Sequence, residues 1–166
     1  MSWRNLSQAG LCLGTMLMFA GTAVWAQTSA TSKSPDESKR AGRLLRDIRS
    51  DAAQIQSAAA ELDRLATTSG ATWVQYDRQW NVMKPAEEDM QLRLARLEKM
   101  DANLSPAQRD ELNQSRTLIQ QIHARTHALR ALLDQNGVQM NDSHFHLYAV
   151  SLKRDSSKLQ RTVKVS

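Results

Sequence analysis

Cysteine is almost missing from this chain: 166 residues hold one, Cys12. Proline occurs three times, glycine six, and aromatic residues make up 5%. No run alternates apolar and polar residues at a strand's period of two. Each shortage excludes something. One thiol cannot form an internal disulfide, a dithiol redox pair or a cysteine-rich metal site. Few helix breakers and no strand signals leave long helices as the only regular structure.

The lone cysteine also falls within a segment expected to be removed. Arg4 supplies a positive start, Ala9 to Val24 is an apolar stretch, and Val24-Trp25-Ala26 offers a cleavage site. Residues 1–26 therefore read as a secretory signal peptide, cut near Ala26. The apolar stretch, about 16 residues, falls short of the roughly 20 that a spanning helix needs, and no stop-transfer charges follow. Leu11 precedes Cys12 where a lipidation signal requires a small residue. The expected product is soluble, periplasmic or secreted, with no transmembrane segment and no thiol. Cysteine nucleophiles and c-type haem attachment are excluded with it.

The remaining residues carry a small basic excess, +4 against +5 for the whole chain. Much of it lies in Lys153, Arg154, Lys158, Arg161 and Lys164, opposed locally by Asp155. Cations at a helix C-terminus complement its dipole. Nucleic acid is not an expected partner in an exported protein. Weak contact of the basic end with acidic surfaces is the functional alternative.

Residues 27–33 form a Thr/Ser/Ala leader without periodicity. Residues 34–166 then read as one domain of four helices, about 35–68, 73–102, 106–136 and 143–163. Ser34-Pro35-Asp36-Glu37, Thr72-Trp73-Val74-Gln75 and Ser105-Pro106-Ala107-Gln108 are capping boxes. Asn141, Asp142 and Ser143 compete for the fourth start, and Gly137 is the stop before it. Apolar stripes follow each start: Leu44, Ile48, Ile55, Leu62 and Leu65; Leu112, Ile119, Ile122, Leu129 and Leu133; Phe145, Tyr148, Leu152, Leu159 and Val163. In the second helix Trp73, Tyr76, Trp80, Met83, Glu87, Met90, Leu94 and Leu97 alternate steps of three and four. Short linkers favour antiparallel neighbours, so the expected fold is an all-α, antiparallel up-down four-helix bundle. A three-helix arrangement with a loosely docked fourth helix is the structural alternative. The second helix's seam could equally bury itself against another chain, giving a homo-oligomer.

Antiparallel order sets the levels. Trp73, Tyr76, Trp80, Phe145 and Tyr148 fall in one half, as a core cluster or as the lining of an apolar groove. Glu87 falls level with Ala52, His123 and Ser156. Pro85 should kink the helix near Asn81 to Lys84. The first expectation is that this kink turns Glu87 to water, since an unpaired buried carboxylate is costly. A buried Glu87–His123 pair is the second, and a functional polar layer of Glu87, His123 and Ser156 the third.

All four histidines lie between residues 123 and 146. His123 and His127, at i and i+4, have a spacing that can hold a divalent ion. His144 and His146, two residues apart, point roughly 160° from each other on a helix. The two pairs sit at different heights, and no metal or other cofactor is expected. There are no paired Glu-x-x-His motifs for a di-iron centre, no phosphate loop, no His-Glu-x-x-His and no Gly-x-Ser-x-Gly. Nothing orders a nucleophile beside a base, so the chain is not expected to be an enzyme.

Leu104-Ser105-Pro106-Ala107-Gln108 resembles the Leu-Thr-x-x-Gln element of small periplasmic envelope-stress chaperones and adaptors, which are also exported, helical, basic and free of cysteine. The resemblance covers these five residues. That family shows the element twice and has a Met/His-rich N-terminal region; this chain has neither the second copy nor that region. The capping box accounts for all of the five except Leu104. The resemblance implies the same class as the absent chemistry: a non-enzymatic protein-interaction or chaperone-like module with a protein partner. The alternative is a small-ligand or metal carrier using the aromatic half or the histidines.

Overall fold

The computed structural model describes residues 35–136 and 143–164. The expected signal peptide and leader, with Ser34, Gly137, Asn141 and Asp142, lie outside the described residues. Four α-helices account for nearly all of the rest: α1 Pro35–Ala66, α2 Trp73–Lys99, α3 Pro106–Asn136 and α4 Ser143–Thr162. A single 3-10 turn, Asp101–Asn103, separates α2 from α3.

Local chemistry sets the ends. The hydroxyls of Thr67 and Thr68 both donate to the Arg64 carbonyl, at 2.9 and 2.8 Å. The Thr67 and Thr68 amides reach back only three residues, to the Arg64 and Leu65 carbonyls at 3.2 and 3.1 Å, so the last turn tightens and α1 stops at Ala66, two residues short of expectation. Gly70 turns the chain at φ 81°, where a side chain would be strained. At the start of α2 the Thr72 amide donates to Gln75 Oε1 at 2.8 Å. At the start of α3 the Ser105 amide donates to Gln108 Oε1 at 3.0 Å, and the Gln108 amide donates to Ser105 Oγ at 3.2 Å. The second box satisfies two otherwise orphaned donors reciprocally.

The helices pack as a bundle in which α1 contacts α2 and α4, and α3 contacts α4 and α2. The interfaces of α1 are the most extensive and that between α2 and α3 the least. Small residues explain the difference in part: Ala41, Ala52 and Ala59 of α1 are wholly buried and let neighbours approach closely. Ile48, Ile55, Met83, Met90, Ile119, Ile122, Leu152 and Leu159 fill the centre with no exposed surface. Each such side chain contributes roughly 1.5–3 kcal/mol on burial.

Polar pairs bridge the helices. Between α2 and α3 they are Glu98–Arg116 at 2.8 Å, Glu87–His123 at 2.5 Å and Asp77–Arg130 at 3.0 Å. Between α1 and α4 they are Asp63–His146 at 2.8 Å and Gln56–Gln160 at 2.5 Å. In both sets, numbers rise along one helix as they fall along the other. Arg93 of α2 joins Asp51 of α1, and Arg125 of α3 joins Asp155 of α4. No helix among the described residues is long and apolar enough to cross a membrane.

Candidate functional site: the groove between α2 and α3

The stripe of α2 buries Tyr76, Trp80, Met83, Glu87, Met90, Leu94 and Leu97. Glu87 therefore stays on the seam, only 4% exposed, and does not turn to water as first expected. Pro85 is the reason the expectation fails. It lies on the exposed face, and α2 runs through it as one helix. The carbonyl that loses its bond, that of Asn81, belongs to an exposed residue, where water can satisfy it.

His123 meets the buried carboxylate from α3. Its Nδ1 lies 2.5 Å from Glu87 Oε1, while the side chain remains 48% exposed. His127, one turn further along and exposed, stacks edge-on against His123 with ring centroids 4.4 Å apart. One ligand atom from each of Glu87, His123 and His127 lies within 4.8 Å of the others. These donors open on a groove of about 510 Å³, which Trp80 and Leu92 line on its apolar side and Lys84, Glu88 and Gln91 on its polar side. Lys84 pairs with Glu88 at 3.8 Å.

Ser156, the third member of the expected polar layer, is wholly buried, but its hydroxyl has no hydrogen-bond partner among the described residues. The structure thus joins Glu87 to His123 and adds His127 instead. Of the expected aromatic groove, Tyr76 and Phe145 are core: each is 2% exposed, and their rings meet edge to face at 5.0 Å. Burial pushes the Tyr76 phenol above its ordinary pKa. Tyr148 is half-buried against the core, and Trp73 is exposed. Trp80 is the member that reaches the α2–α3 groove, and the Arg130 guanidinium stands 5.6 Å over its ring. His146 joins Asp63, at another interface from His123 and His127.

Sequence reasoning missed Leu92 and the union of Glu87 with His127. Both had a signal. Leu92 breaks the three-four alternation between Met90 and Leu94, so it had to face outward, and it is 56% exposed. His127 shares a helix face with His123, already placed level with Glu87.

A second buried carboxylate lies between α1 and α2. Desolvation raises the pKa of Asp51 to about 6, although the Arg93 guanidinium beside it pulls the other way. Arg93 also reaches Asp89 at 3.3 Å and Asp47 at 3.8 Å. Through Arg93, Asp51 ties α1 to α2, and it reads as part of the scaffold.

Compared with protein families, curated proteins and solved structures, the chain matches none of them.

Proposed function

We propose that this chain is an exported, non-enzymatic helical bundle of up-down topology that works by binding protein, as an interaction or chaperone-like module of the cell envelope. Cleavage near Ala26 would free it into the periplasm or the medium. The observation that carries this reading is the α2–α3 groove with Leu92 held out at its rim. Leu92 does not stand alone in water: it lines the same concavity as Trp80, and apolar walls with a few convergent polar groups are the usual make-up of a binding groove. Glu87, His123 and His127 are not ordered as a nucleophile with a base. They support recognition rather than turnover.

A photo-crosslinking residue in place of Leu92 tests this in the native host. Covalent capture of envelope proteins at Leu92, with little at exposed Val74 of α2, supports the reading. Equal capture at both positions, or none, together with no protection of an aggregating client by the purified protein, removes it. The carrier reading keeps one specific support, the two imidazoles and the buried carboxylate converging on the groove. Tyr76 and Phe145, packed on each other, give its aromatic version none.

A further inference from the structure

We infer that Glu87, His123 and His127 form a binding site for a single divalent transition-metal ion of the zinc class, open to the α2–α3 groove. The inference deepens the carrier reading and does not depend on protein binding.

Three features of the molecule converge on it. The first is the donor set. Two imidazole nitrogens and one carboxylate oxygen match the three-ligand sets that hold zinc while leaving a position free. An all-oxygen cluster would suit calcium or magnesium, and two nitrogens in three direct the site to borderline metals instead. The second is placement. His123 and His127 are one turn apart on α3, and Glu87 comes from the facing helix, so an ion there would tie α2 to α3 at their least extensive interface. The third is charge. Glu87 is buried, whereas the neighbouring ammonium, Lys84, turns to Glu88. The two imidazoles are the groups facing the carboxylate in this cluster, and an ion among the three would compensate its charge directly.

The geometry needs one adjustment. Glu87 Oε1 and His123 Nδ1 are in hydrogen-bond contact at 2.5 Å. Two donors around a tetrahedral zinc, each about 2.0 Å from it, stand roughly 3.3 Å apart. The pair must open by somewhat less than an ångström, and His123 is half-exposed and free to swing into the groove. Binding therefore replaces the direct Glu87–His123 contact with two bonds to the ion. The fourth position faces the open groove, where water or a donor from a bound partner would complete the shell.

Titration of the tag-free purified protein with Zn²⁺ alone tests the site, with Co²⁺ as a spectroscopic substitute. The expected result is saturable binding of one ion per chain, with Co²⁺ giving the strong visible bands of a four-coordinate centre. H127A removes a ligand without touching the Glu87–His123 contact. It should keep the metal-free melting temperature and weaken Zn²⁺ binding roughly tenfold or more. E87Q should weaken it as well, whereas H146A, on a different interface, should leave it unchanged. Absence of saturable binding overturns the inference. So does wild-type affinity in H127A, or loss of binding in H146A. None of these readouts uses a protein client, so failure here leaves the protein-binding reading to its own test.

Discussion

The Tyr76–Phe145 level and the Glu87–His123 level lie on the same stripe of α2, three turns apart, and they solve opposite problems. At the first, two rings exclude water completely and meet edge to face. At the second, one side chain is buried and its partner is half in water. The first level is what holds a bundle together. The second occurs where α2 and α3 pack least, and polar side chains there bridge what apolar ones leave open. A dry level and a half-wetted one thus share a single stripe of α2.

Substitutions can break that contrast. Tyr76→Ala should have the largest effect, a loss of about 3–5 kcal/mol in urea unfolding, because it empties a filled layer. Should it cost no more than a groove substitution, the division between the levels is wrong. Asp51 gives the next effect, through pH. Its folded pKa of about 6 lies above the unfolded value, so the folded state holds the proton more tightly between them. Its contribution to stability falls as pH rises through that window and grows as pH falls towards 4. Relative to D51N, the wild type should gain on the order of 2 kcal/mol between pH 7 and pH 4, read from paired unfolding curves. A gap that stays constant with pH would contradict the burial of this carboxylate.

Smaller effects sharpen the comparison. Gln108→Ala should cost about 1 kcal/mol, the value of a lost cap. Glu87→Gln should cost about 1 kcal/mol or less, since the imidazole it leaves can turn to water. Leu92→Ser should fall within roughly 0.5 kcal/mol of the wild type in thermal unfolding, while abolishing capture by a photo-crosslinking residue placed at Glu88, on the same groove. A stability loss as large as that of Tyr76→Ala would make Leu92 part of the core instead.

The periodic part of the fold was legible in the sequence. Proline and glycine punctuation, two described capping boxes and the three-four stripes all found their elements, because those signals act within one turn of helix. The ends of α1 and α2 shifted by two or three residues, for a reason equally local: the Thr67, Thr68 and Met100 amides reach back three residues instead of four. What sequence left undecided was burial at the seam. Whether Glu87 turns out or in depends on which face carries Pro85 and on what α3 presents opposite. That is a property of two helices at once. Ser156 shows the same limit from the other side: the level was set by counting along α4, but a hydroxyl needs a partner within about 3 Å, and counting does not reach that precision.

Gln108 carries a consequence beyond its own helix. While its Oε1 caps α3, its Nε2 donates to the Ser38 carbonyl at 2.9 Å in the first turns of α1. One amide group therefore holds two helix beginnings that are 70 residues apart in the chain. Fraying of either one breaks a hydrogen bond to the other. Hydrogen exchange at the two ends should open as one cooperative unit. A carboxylate in its place, as in Gln108→Glu, keeps the cap but cannot donate, and would let the first turns of α1 exchange independently while α3 stays closed.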